Sequence, residues 1–433
     1  MTMKRLPPLS AVLALSLLPL AVPAWGANLG ALYELARDHD AKLAAAREAL
    51  KAGQEKLPQG KSGLLPELAV KGKYSYLSSE AAGGWSASHP RYYELSLTQP
   101  LYRKQNLETF EQGKIQALLS DQQFKLAEQE LLLRVAVAYF EVLQAQDVVT
   151  TVQAQKQAYA EQLAQARKSF EVGAATITDT HEAQARFDLT GAQEIAALND
   201  LDVKRRVLER IINREAPKLA TLVEGVRLPL PQPSNMEAWV TQAEAGSLRV
   251  VASQSSLEVA RREVEKQRGA YLPTVDLQAL YSDSADVSSA GKSGQVGVVL
   301  GWNLYQGGGT DSRMREAVAN QEKARYELDD ARRQARLEAR QGFLGVLSGD
   351  AQVKALEQAL VSSEAQLKST KLGLEVGVRT RVDVLNAEQQ LFTTRRDLSA
   401  AKYKTLLASL ELKAAAGSLG PDDLKALDAL LRD

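Results

Sequence analysis

Two short stretches decide how this chain is read: SFEVGAATITDT (residues 169–180) and LGLEVGVRTRVDV (372–384). Each places a Gly where one helix would end and a Thr and an Asp where another would begin. Glycine tolerates the left-handed conformation that closes a helix, and Thr or Asp side chains accept hydrogen bonds from the free amides of a first turn. Both stretches therefore read as tight reversals between helices. Around them proline is missing: of 14 prolines, none lies between Pro100 and Pro217 or between Pro273 and Pro421. An interior proline costs a helix about 3 kcal/mol, so both gaps admit very long helices. Apolar or small residues at Leu131, Val135, Ala138, Val142, Ala145 and Val149 alternate in steps of four and three, as do Leu356, Leu360, Ser363, Leu367, Thr370 and Leu374. That is coiled-coil spacing with small side chains. The expected helices are 104–171 and 178–216 in the first half, 308–375 and 383–416 in the second, with 30–57 and 236–268 ahead of them. Stacked end to end, two short helices match one long one, and at about 1.5 Å per residue each column reaches about 100 Å.

The reversals are one part of a duplication. GLLPELAVKGKYSY (63–76) resembles GAYLPTVDLQALYS (269–282), and SLTQPLYRKQN (96–106) resembles GWNLYQGGGTD (301–311). Pro66 and Pro273 are 207 residues apart, Tyr102 and Tyr305 203, Gly173 and Gly377 204. Such constancy of register marks a tandem repeat, expected as 27–235 and 236–433 joined by the proline-rich stretch Leu228–Pro233.

Composition narrows the function. The chain has 433 residues, 53 Lys plus Arg against 53 Asp plus Glu, three His and no Cys. Without cysteine there is no disulfide, thiol nucleophile or thiolate metal site, and zero net charge offers no field for nucleic acid. Lys4 and Arg5, an apolar run from Leu6 to Val22 and Ala24-Trp25-Gly26 read as a secretory signal peptide over 1–26, cleaved before Ala27. The alternative, an N-terminal anchor, is opposed by Pro7, Pro8, Pro19 and Pro23. No later apolar run is long enough for a membrane helix, so a membrane-spanning role would fall to strands.

Strand candidates occur twice per repeat, near 66–77, 92–103, 273–283 and 294–306. Leu68, Val70, Tyr74 and Tyr76, then Tyr93, Leu95 and Leu97, alternate with polar or small residues; so do Val275, Leu277, Ala279 and Tyr281, then Val296, Val298, Leu300, Trp302 and Leu304. Apolar-out, polar-in alternation over about 10 residues is what an outer-membrane barrel strand requires. A soluble hairpin with one buried face would show the same pattern. Four strands cannot close a barrel in hydrocarbon, so insertion demands several copies. Two copies give eight strands with a filled interior, whereas three give twelve and a lumen.

These residues resemble the TolC family of outer-membrane channel proteins. The duplicated LLP and YLP strand starts, the LTQPLY and LGWNLYQGGG strand ends and the paired VG…T..D reversals carry the likeness. VDVLNAEQQLFTTRRDLSAAKYKTLLASLELKAAAGSL (382–419) is similar to the branch serving type I protein secretion. The resemblance implies an α+β membrane protein: a homotrimeric 12-stranded barrel in outer-membrane lipid, continuous with an α-helical coiled-coil tunnel in the periplasm. It further implies docking of a periplasmic membrane-fusion adaptor and an inner-membrane transporter, ABC-type in protein secretion or RND-type in drug efflux. It implies no enzymatic activity, no cofactor and no nucleic-acid partner. At the periplasmic entrance, Asp179 and Arg379 match the family's salt-bridge partners, and Asp383 matches a carboxylate of an acidic ring. Leu374 stands where relatives carry Tyr, and Asn386 replaces a second ring carboxylate. Val172, Gly173, Val376 and Gly377 read as turn formers and adaptor contacts.

Bland readings compete at the same residues. Asp179 and Asp383 each open a helix and so qualify as N-caps. A periplasmic coiled-coil adaptor that bridges membranes without conducting is the alternative of another class, although one hairpin would suffice for it. Gly307-Gly308-Gly309 lacks the Lys-Ser/Thr of a phosphate loop. His39, His89 and His181 are too scattered for a metal site.

Overall fold

The computed structural model describes residues 28–81, 83–223, 225–285 and 291–432; the signal peptide expected over 1–26 lies outside them. The first half runs α1 (Leu29–His39), α2 (Ala41–Gln54), α3 (Lys56–Ser62), β1 (Glu67–Tyr74), β2 (Leu77–Ala81), β3 (Gly84–Ser88), β4 (Arg91–Tyr102), α4 (Lys104–Glu171), α5 (Ile177–Ile212) and β5 (Thr221–Leu222). The second runs α6 (Met236–Gly246), α7 (Leu248–Gly269), β6 (Thr274–Ala285), β7 (Gly291–Gly301), α8 (Gly309–Glu375), α9 (Arg381–Ala415), α10 (Pro421–Asp428) and β8 (Leu431–Arg432).

Helices α4 and α8, of 68 and 67 residues, are the spines. Helix α5 packs along the lower half of α4, with α2 and α3 above it on the same spine; α9 packs along the lower half of α8, with α6 and α7 above. Helices α4 and α9 touch below, α4 and α7 above, so one copy is an array of four columns. The spacing read from α4 is buried throughout: Leu131, Val135, Ala138, Val142, Ala145 and Val149 are all core.

The upper end is an antiparallel sheet in the order β1-β4-β6-β7, in which β4 and β6 join the two halves. Its register sets Leu68, Leu97, Ala279 and Val296 side by side, and Val70 beside Leu95 and Tyr281. One face is thus apolar and uncovered, with Val70 74% and Val298 64% exposed. On the other face Lys71 pairs with Glu94 at 3.3 Å, in register with Ser282. Where the sheet meets the helices, the Arg103 guanidinium grips the nearly buried Asp276 carboxylate through Nε at 2.8 Å and Nη2 at 2.6 Å. Among the described residues no helix is long and apolar enough to cross a membrane.

Several bounds differ from the sequence reading, each for a local reason. The helix expected over 30–57 is three: Asp40 leaves the helical conformation to accept from the Leu43 amide at 2.7 Å and to pair with Arg134 at 3.0 Å, which separates α1 from α2, and α2 gives way to α3 at Glu55. The one expected over 236–268 breaks at the buried Ser247 (ψ 125°). Strand β1 ends at Tyr74, short of 77, and a separate β2–β3 hairpin follows. Strand β7 ends at Gly301 rather than 306, because Trp302 turns back to donate its indole N–H to the Tyr271 carbonyl at 3.0 Å. Gly307 and Gly308 (φ 59° and 78°) then steer the chain into α8.

The densest core lies at mid-height. Leu29, Leu32, Tyr139, Phe140, Leu208, Ile212, Leu406 and Leu424 are all fully or almost fully buried there. The Tyr139 hydroxyl donates to the Ala220 carbonyl at 2.7 Å, and the Asp428 carboxylate of α10 accepts from the first amides of α1, Leu29 at 2.8 Å and Gly30 at 3.0 Å.

Candidate functional site at the helical tip

At the lower end both reversals are built alike. Gly173 adopts φ 72° and its N–H donates to Phe170 O at 2.9 Å, while Ala174 N–H donates to Ser169 O at 2.7 Å. Gly377 adopts φ 78°, donating to Leu374 O at 3.1 Å, and Val378 donates to Gly373 O at 2.9 Å. These bonds occupy the last carbonyls of α4 and α8 and turn the chain within two residues. Val172 and Val376, beside the glycines, are 79% and 66% exposed.

The next helices open on reciprocal caps. Thr176 Oγ1 accepts from Asp179 N–H at 3.2 Å, and an Asp179 carboxylate oxygen accepts from Thr176 N–H at 2.9 Å. In the second copy Thr380 and Asp383 repeat this at 3.2 and 2.8 Å. The cap is therefore the Thr, and each Asp sits at the third helical position, not at the cap itself. The Thr176 amide, its hydroxyl and then the nearby Arg381 charge hold the Asp179 carboxyl below its ordinary range. For Asp383 the Thr380 amide, its hydroxyl and then Arg379 do the same.

The expected pairing of Asp179 with Arg379 is not made within one copy: the cation whose charge acts on Asp179 is Arg381, and that of Arg379 acts on Asp383. Arg381 also donates to Ser169 Oγ, tying α9 to the end of α4. Asn386 is not idle, since its carbonyl oxygen accepts from Arg186 Nη2 at 2.8 Å while Nη1 of the same guanidinium reaches Gln389 at 2.7 Å. Leu374 lines a cavity of about 310 Å³ between α4, α5, α8 and α9, beside Asp179, Lys371, Arg381 and Glu388.

Glu388 is the residue the sequence reading missed. It is 3% exposed, paired with Lys371 Nζ at 2.9 Å and hydrogen-bonded by the Gln162 amide. A signal for it exists: in α9 it occupies the buried stripe between Leu385 and Leu391, where an apolar residue is expected. Among the described residues no cluster of His, Asp and Glu is arranged to hold a metal ion.

Two long coiled hairpins beneath an antiparallel sheet with an uncovered apolar face form an architecture that comparison with known proteins identifies. The sequence model described as "Outer membrane efflux protein" matches residues 32–214 and 239–418. The chain belongs to this family, the TolC family of outer membrane efflux channels. It is 32% identical to outer membrane protein TolC of Vibrio cholerae over 443 aligned positions, covering 99% of each chain. It is 34% identical to the alkaline protease secretion protein AprF of Pseudomonas aeruginosa, covering 99% of this chain and 92% of that one. The fold superimposes on the crystal structure of outer membrane protein VceC of Vibrio cholerae with a TM-score of 0.78 at 20% identity, over 90% and 96% of the two chains. TolC-family proteins are channels, not enzymes, so the sheet is the outer-membrane part and the helices extend into the periplasm.

Proposed function

We propose that three copies close into one duct that passes polypeptides outward in type I protein secretion. The observation that carries the closure is that both kinds of unfinished edge fall on matching sides of the array. Strands β1 and β7 end the sheet with one neighbour each, and columns α5 and α8 end the helical array. Helix α8 carries an uncovered stripe at Tyr326, Leu337, Leu344, Leu347, Val361 and Leu372, spaced close to whole turns, and α5 exposes Leu189, Ile195 and Val203. A head-to-tail ring pairs β7 with β1 and covers α8 with α5 of the next copy, which removes the open edges and the apolar stripes together. Four strands per copy make three the smallest number that leaves a lumen.

The polar face of the sheet then lines a water-filled passage, and the reversals gather at its inner entrance as the gate. There Asp383 forms a carboxylate ring favouring cations, and Asp179 pairs with Arg379 across the copy boundary, since the pair is not made within one copy. Exposed Val172 and Val376 beside Gly173 and Gly377 offer the adaptor its contact, and an ABC-type transporter stands below. AprF, named for alkaline protease secretion, favours polypeptide cargo; small-molecule efflux with an RND-type transporter is the second reading, favoured by the family's description as outer membrane efflux proteins.

Single-channel recording in planar bilayers tests the duct. Wild-type protein is expected to insert with small conductance and Arg379→Ala with a larger one; failure of both to insert overturns the proposal in favour of a non-conducting scaffold. Deleting the gene separates the cargo readings: loss of a secreted protein supports export of polypeptides, and drug hypersensitivity without it supports efflux.

A further inference from the structure

We infer that Glu388 is a positioning residue that ties the two coiled hairpins of one copy together, and that its neutralisation by Lys371 keeps the tip shut. The inference rests on the reading of the tip as the gate. Its basis is a buried carboxylate in a coil stripe whose other buried residues on α9 are uncharged, bonded from α9 to Gln162 on α4 and Lys371 on α8.

The two contacts differ in kind. Lys371 and Glu388 belong to the same hairpin, α8–α9, and travel together when that hairpin swings. Gln162 belongs to the α4–α5 hairpin, so its hydrogen bond to Glu388 must break when the hairpins part. The amide is the latch and the lysine is the counter-ion that lets a carboxylate sit there. A buried charge deprived of its partner is strongly unfavourable until water reaches it. The adjoining cavity, lined also by Asp179, Arg381 and Leu374, lets water reach Glu388 once the hairpins separate. Asp179, Glu161 and Glu375 face the same space, so without Lys371 the negative charge there is further uncompensated.

The arrangement makes opposite predictions for one and two substitutions. Lys371→Met leaves Glu388 unneutralised in the closed state and raises open occupancy roughly tenfold. Lys371→Met/Glu388→Gln removes the buried charge as well, keeps a side-chain oxygen to accept from the Gln162 amide and returns occupancy to about the wild-type level. The experiment records single channels of the full-length trimer for wild type, Arg379→Ala, Lys371→Met, Lys371→Gln and the double variant, each first shown to assemble. Lys371→Gln removes the same charge while keeping a polar end at this half-exposed position and carries the test if the methionine variant does not assemble. Opening in the single variant with closure restored in the double is the expected result. If Arg379→Ala opens the channel and neither lysine variant does, the latch is overturned and the gate stands. A double variant as open as the single overturns the charge argument. If no variant opens, the gate reading falls and the latch with it.

Discussion

Thr380 and Asp383 each spend a side chain on the other's backbone, and this exchange fixes where α9 begins. The same bonds favour ionised Asp383, whose carboxyl is held below its ordinary range chiefly by the Thr380 amide. A group with a lowered folded value stabilises the fold above its unfolded pKa of about 3.9, and that contribution disappears as pH falls through the lower folded value. Amide protection at Thr380 is therefore expected to hold from neutral pH down to about 4 and to fall below it. Asp383→Asn should lose that dependence, which hydrogen exchange followed by mass spectrometry checks. Equal pH profiles in the two proteins would remove the carboxylate from the cap.

Among the elements, the reversals were the most legible part of the sequence, because a turn with positive φ followed by a reciprocal cap needs particular residues at particular offsets. Gly377→Ala forces a Cβ into the left-handed region at a cost of about 1–2 kcal/mol, and Gly173→Ala does the same at φ 72°. Nothing crowds either site within 4 Å, so the penalty is conformational and not steric. Both variants are expected to assemble while exchanging faster at the tip; unchanged exchange would show that the turn has another low-energy form. What was not legible is equally physical. The break at Asp40 is set by Arg134, 94 residues away, and the end of β7 by an indole reaching the Tyr271 carbonyl; neither partner can be chosen by local patterning. Helix α10 and the β5–β8 pair form through packing on the mid-height core, with Leu424 and Leu427 inserted into it. Glu388 is not legible from its charge, because charged residues on a long helix usually face water; only its place in the buried stripe marks it.

For the whole molecule, the uncovered stripe on α8 is the feature that one copy cannot account for. Leu344→Asp places a carboxylate in the middle of the proposed seam, where burial without a partner costs several kcal/mol. Native mass spectrometry is expected to find single copies in place of trimers, whereas the same change at Leu118 of α4, exposed but away from either edge column, leaves the trimer intact. Trimers from Leu344→Asp at wild-type yield would place the seam elsewhere. The carboxylate of Asp428 receives the amides of Leu29 and Gly30. Helix α1 is finished by a residue 399 positions further along the chain, so the mid-height core cannot mature until α10 has been made. A product cut short before Pro421 would keep both coiled hairpins yet present a frayed waist to periplasmic proteases.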